Sequence, residues 1–134
     1  MYIKKMRKQK NIFWIIAGSL NLLTFFAHLF SGQLDLVNPM LESSLSIEKI
    51  AQLIGSWHIV TLIIFFTSCI LLLAGFDKKY ANNLELIKLT AYLNLSFCLP
   101  FILSSIYYDL FVPQCIFFLP IAIFTFFGIR KKQS

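Results

Sequence analysis

Charged residues are scarce in this sequence, and where they are missing matters more than how few there are. Of 134 residues only 13% are charged, 58% are hydrophobic, and Phe alone contributes 15. A soluble domain of this size has a large surface relative to its core and needs more polar side chains to cover it. An ordinary soluble domain is thereby excluded. No Asp, Glu, Lys or Arg occurs from Ile12 to Phe30, from Gly55 to Phe76, from Leu89 to Tyr108 or from Leu110 to Ile129. Each run is about 19 to 22 residues, enough for a helix rising ~1.5 Å per residue to cross ~30 Å of hydrocarbon.

Other absences narrow the chemistry. Cys69, Cys98 and Cys115 lie far apart within these runs and form no C-x-x-C. A thiol–disulfide relay in the membrane therefore lacks its dithiol, and the three read as small apolar packing residues. The first run has no acidic residue, which a multidrug exporter of the four-span type carries there. The charges that membrane glutathione transferases place within their spans are missing as well. No A-x-A-like site follows the first run, whose apolar stretch is also too long for a signal-peptide core, so it is expected to be a retained helix. There is no internal repeat and no low-complexity tract. There is also no complete catalytic signature, so the sequence leaves open whether the protein is an enzyme.

What is present predicts an all-α integral membrane protein, a four-helix bundle forming a single membrane domain over 1–134. The spans are expected at about 12–30, 56–75, 86–107 and 110–129, with an external segment at 31–55 and a cytoplasmic loop at 76–85. The net charge of +6 is distributed as in a membrane protein rather than a nucleic-acid binder. Lys4, Lys5, Arg7, Lys8 and Lys10 precede span one, Lys78, Lys79 and Lys88 fall between spans two and three, and Arg130, Lys131 and Lys132 follow span four. Of the basic residues only Lys49 lies on the other side, together with Asp35, Glu42, Glu48 and Asp109. The positive-inside rule then puts both termini on the cytoplasmic side, with the basic ends near anionic headgroups.

Local signals refine this outline. Trp14 is expected at the inner interface, where its amphipathic ring is at home. Ser31-Gly32 should end the first helix, and Gln33 to Leu41 should be extended or turning because Pro39 disfavours helix at Asn38. Ser46 reads as an N-cap and Glu48 as a first-turn acid. Ile47, Ile50, Ile54 and Trp57 share one face. They predict a short external amphipathic helix that either runs into span two or bends near Gly55. Pro100 predicts a kink in span three, Tyr107-Tyr108-Asp109 a tight turn, and Pro113 and Pro120 an irregular outer half of span four.

Because lipid is as apolar as Leu, polar and small residues reveal the buried faces. Ala17, Asn21, Thr24 and His28 form one stripe, His58, Thr61, Phe65 and Ser68 a second, and Ala91, Asn94, Cys98 and Ser105 a third. Span four is Phe-rich and poor in polar groups. It is expected to face lipid or a subunit contact, either a second copy or another membrane protein.

The strongest chemical signal is a pair of histidines. His28 and His58 lie near the outer ends of antiparallel spans at matching depth, and ionisable residues at membrane depth point to function. Two imidazoles there suit axial ligation of haem b, a transition metal, a small hydrogen-bonding ligand or a proton. In this reading His28, His58, Asp35, Trp57, Asn21 and Thr61 are the candidate ligand-binding residues. His28 and His58 would be metal ligands, Asp35 would orient one imidazole, and Trp57 would wall the pocket. The alternative is a structural or accessory membrane subunit in which both histidines only anchor the external segment.

The stretch from His28 through Gly32, Asp35 and Pro39 to Leu41, followed by Trp57-His58-Ile59-Val60-Thr61, resembles a family of small uncharacterised four-span bacterial membrane proteins. In that family a His and a Gly close the first span, an acid and a Pro follow, and a Trp-His pair opens the second. The resemblance covers under half of the chain. It implies a topology and a site at His28, Gly32, Asp35, Pro39, Trp57 and His58, but no reaction.

Overall fold

The computed structural model describes residues 10–133, so Lys4, Lys5, Arg7 and Lys8 lie outside the described residues. The described secondary structure is entirely helical. Its elements are α1 (Ile12–Gly32), a π-helical turn (Gln33–Val37), α2 (Asn38–Leu41), α3 (Ile47–Phe76), α4 (Lys78–Ala81), α5 (Leu84–Ser96), α6 (Cys98–Tyr107) and α7 (Cys115–Gln133). Among the described residues three stretches are long and apolar enough to cross a membrane: Ile12–Leu41, Ile47–Phe76 and Leu84–Tyr107. Their outward faces carry exposed Leu23, Phe30, Leu62, Phe66, Leu89 and Leu103. Such continuous apolar surface is a liability in water and the natural exterior of a protein dissolved in lipid.

The expected interruption after Ser31-Gly32 does not occur. The chain stays helical from Ile12 to Leu41, and Asn38 adopts φ −61°, ψ −50° despite preceding Pro39. The reason is the π turn. Asn38 N–H reaches back to the Gln33 carbonyl, and Gln33 Nε2 donates to Asn38 Oδ1 at 2.9 Å. Widening the helix just before the proline accommodates the missing N–H and relieves the pressure of its ring on the preceding turn. The external amphipathic helix is likewise not separate. It forms the first turns of α3, which continues through Gly55 for 30 residues. Glu48 lies in its first turn, and the Ser46 carbonyl accepts from Ile50 N–H, although the Ser46 side chain makes no capping bond.

Two other irregularities follow the prolines. The third stretch breaks at Phe97, between α5 and α6. Pro100 has no N–H for the Ser96 carbonyl, which is the acceptor one turn earlier. After α6, Asp109 takes the left-handed φ of 49°, and Leu110 N–H bonds the Ser105 carbonyl at 3.2 Å. This is the six-to-one bond of a Schellman stop, closing the expected tight turn. Residues 110–114 are not helical, so α7 starts at Cys115, later than expected, and its apolar part ends at Arg130.

Helix α1 packs along α3 on one side and α7 on the other, and α7 in turn packs along α5. Helix α7 buries one face against these two neighbours, while Ile116, Phe117, Leu119, Ile123 and Phe127 stay exposed on the other, a surface open to lipid or a subunit contact. Phe118, Ile121, Ala122, Thr125, Gly128 and Ile129 are buried along the helix. Small side chains make this fit. Trp14 is fully buried against α7, and its Nε1–H donates to the Thr125 carbonyl at 3.1 Å. A Cβ on Gly128 would lie 2.3 Å from the Trp14 ring, so the indole occupies the space a side chain would fill. Trp14, Leu71, Ile87, Ile121 and their neighbours form one apolar cluster, and Ile64, Cys98 and Phe118 form another.

Candidate functional site

The elements of the site are α1 and α3. His28 lies 16 residues beyond Ile12 and His58 18 residues before Phe76, so at ~1.5 Å per residue they stand about 24 and 27 Å from the end carrying Lys10 and Lys78. His28 and Gly32, one turn apart, share a face of α1. The indole of Trp57 from α3 is seated on that face. It stacks on the His28 imidazole with centroids 3.7 Å apart and 14° between planes. A Cβ on Gly32 would come within 2.1 Å of Trp57 Cζ2, so only glycine leaves room for the ring. His28, Gly32 and Trp57 thus form one packed unit.

Thr61, one turn after Trp57, completes it. Its Oγ lies 3.0 Å from His28 Nδ1 and 3.0 Å from the Trp57 carbonyl. A hydroxyl has one proton. If that proton goes to the Trp57 carbonyl, Thr61 accepts from His28 Nδ1–H and Nε2 keeps its lone pair; if it goes to His28 Nδ1, the tautomer is reversed. The oxygen engaging Nδ1 is a buried threonine hydroxyl rather than the Asp35 carboxylate. Asp35 is exposed on the π turn.

His28 is half-buried, whereas His58 is exposed. The offset follows from helix geometry. Trp57 and Thr61 point into the α1 contact, and a residue one position along is rotated by about 100°, to the flank of α3. Phe65, assigned to the same buried stripe, is also 37% exposed. Asn21 is two turns below His28 and is not brought to it. Its Nδ2 donates to Thr67 Oγ at 2.8 Å and contacts the Ile64 carbonyl at 3.4 Å. Among the described residues no group of three or more His, Cys, Asp or Glu side chains is placed to hold a metal ion.

Sequence reasoning missed Thr67 and Asn11 as helix-joining residues. Asn11 N–H bonds the Gly75 carbonyl at 2.9 Å, and its Nδ2 bonds the Gly128 carbonyl at 2.8 Å, tying α1 to both neighbours. The available signal was the absence of side chains at Gly75 and Gly128, which exposes those carbonyls. Comparison with known proteins adds no relative: no protein-family model, curated protein or solved structure matches the chain.

Proposed function

We propose that this chain is a four-span protein of the bacterial inner membrane, with both termini cytoplasmic, that binds a transition-metal ion or small polar ligand through His28 at the outer-leaflet level. The fourth span in this reading is α7, whose apolar part is flanked by Arg130, Lys131 and Lys132. Placing every basic group except Lys49 on one side supports the orientation. The family suggested by His28, Gly32, Asp35, Pro39, Trp57 and His58 belongs to the same proposal.

The observation carrying the ligand reading is the hydrogen-bond chain from His28 Nδ1 through Thr61 Oγ to the Trp57 carbonyl. With the hydroxyl proton on the Trp57 carbonyl, this hydrogen-bond chain would hold the ring and leave Nε2 as the free donor atom, as in metal-binding histidines whose other nitrogen is held by a protein oxygen. His58 on the adjacent flank would supply a second imidazole, and water or ligand atoms would complete the coordination. Haem fits less well. At this level Trp57 fills the space between α1 and α3, so a porphyrin between those helices would have to displace it. Elemental analysis of the purified protein tests the reading. Wild type should retain metal that the His28→Ala, His58→Ala double variant lacks, and equal content would refute metal binding.

A second reading is favoured by the same packing. Stacking on Trp57 and bonding to Thr61 are sufficient work for a histidine that only locks α1 to α3 in an accessory subunit. In that case the single His28→Ala change lowers thermal stability while leaving metal content unchanged.

A further inference from the structure

At the end of the molecule opposite His28, the chain forms a half-open cleft of about 330 Å³. Lys10 just before α1, Lys78 from α4, and Lys131 and Lys132 from α7 line it, with Asn11 and Trp14. No acidic residue is among its described lining residues. The nearby carboxylates are engaged elsewhere: Asp77 caps α4 by accepting from Lys79 N–H, and Glu85 pairs with Lys88 at 2.8 Å.

The lysines are positioned rather than loosely scattered. Lys132 Nζ donates to the Ala81 carbonyl and, at 3.1 Å, to Asn82 Oδ1. Lys10 lies over the Phe76 ring and Lys131 over the Phe13 ring, at 5.5 and 5.6 Å from the centroids. Four exposed lysines lining one cleft, with no carboxylate among its described lining residues, create a positive field that an anion relieves. Lys132 is exposed, but partial desolvation lowers its ammonium pKa from the ordinary value. Asn11 Oδ1, also at this cleft, has no hydrogen-bond partner among the described residues. An anion that carries a hydroxyl would supply the missing donor.

We propose that this cleft binds a phosphate-bearing anion, either the headgroup of an anionic phospholipid or a free phosphate. Its position at the helix ends, where lysines flank apolar spans, is where basic pockets meet lipid headgroups. Its size lies within the range of small-ligand sites. The site requires the chain to lie in a bilayer but is independent of the histidines. Alkaline carbonate extraction of membranes tests bilayer integration separately.

The test uses the full chain purified in a neutral detergent and read by native mass spectrometry. Separate titrations use phosphatidylglycerol, phosphatidylcholine and inorganic phosphate. Wild type is expected to prefer phosphatidylglycerol over phosphatidylcholine. The Lys78→Gln, Lys131→Gln variant should lose on the order of twentyfold in that affinity, about fivefold per lysine. Lys79→Gln, outside the lining, should stay within about twofold of wild type. Saturable phosphate binding without lipid, weakened in the same double variant, assigns the site to a free anion. If the double variant does not fold by circular dichroism, Lys78→Gln alone should show the fivefold loss. Equal binding of the anionic and neutral lipids together with no phosphate binding overturns the proposal, as does unchanged anion binding in the lysine variants.

Discussion

The indole of Trp57 lies against the imidazole of His28, 3.7 Å away and within 14° of parallel, and it is held there by the bare backbone of Gly32. This contact joins α1 to α3 and holds the imidazole whose Nδ1 faces the Thr61 hydroxyl. Disturbing it should therefore affect both stability and any ligand.

Gly32→Ala is the sharpest packing test. The added methyl would fall 2.1 Å from a rigid aromatic carbon that has no flexible end to swing aside. A loss of ~1–3 kcal/mol is expected from such overpacking. It should be measurable as a lower thermal midpoint in detergent, accompanied by a shift in tryptophan emission. An unchanged midpoint and spectrum would place the indole elsewhere.

The coupling between the two rings can be measured directly. A double-mutant cycle of His28→Ala and Trp57→Ala should return an interaction of ~0.5–1.5 kcal/mol, the range for stacked aromatic pairs. Additive losses would mean that the two side chains contribute independently.

Trp14→Phe keeps an aromatic ring beside Gly128 but removes the N–H that reaches the Thr125 carbonyl. The expected cost is ~0.5–1.5 kcal/mol, that of one hydrogen bond. If Trp14 instead sat among headgroups, the substitution would leave unfolding unchanged.

Much of the architecture was readable in the sequence because lipid imposes a simple rule: polar and small residues turn inward. Ala17, Asn21 and Thr24 are buried on α1, as are Ala91, Asn94 and Cys98 along α5 and the start of α6. The rule misplaced His58 because Trp57, one residue earlier, fills the α1 contact and turns its neighbour to the flank. Pro39 misled for a different reason. A local preference against helix was overridden by a π turn, which no short-range pattern announces. Helix α7 offered few polar markers, and its inward face is built from Ala122, Thr125 and Gly128, residues that hydropathy weighs lightly.

Topology is open to a separate test. In a cysteine-free background, Ser44→Cys should react with a membrane-impermeant thiol reagent added to intact spheroplasts. Asn82→Cys should react only after the membrane is opened. The reverse pattern would invert the proposed orientation, and equal labelling of both before opening would contradict an odd crossing number between them.

The most direct measurement is the nitrogen-15 spectrum of His28 in the purified protein, assigned by loss of its signals in His28→Ala and followed during zinc addition. The account predicts a proton on Nδ1, a bare Nε2, and a zinc-dependent shift confined to Nε2 that acid reverses by protonating that nitrogen. A proton on Nε2 with Nδ1 bare, or a spectrum indifferent to zinc, would contradict it.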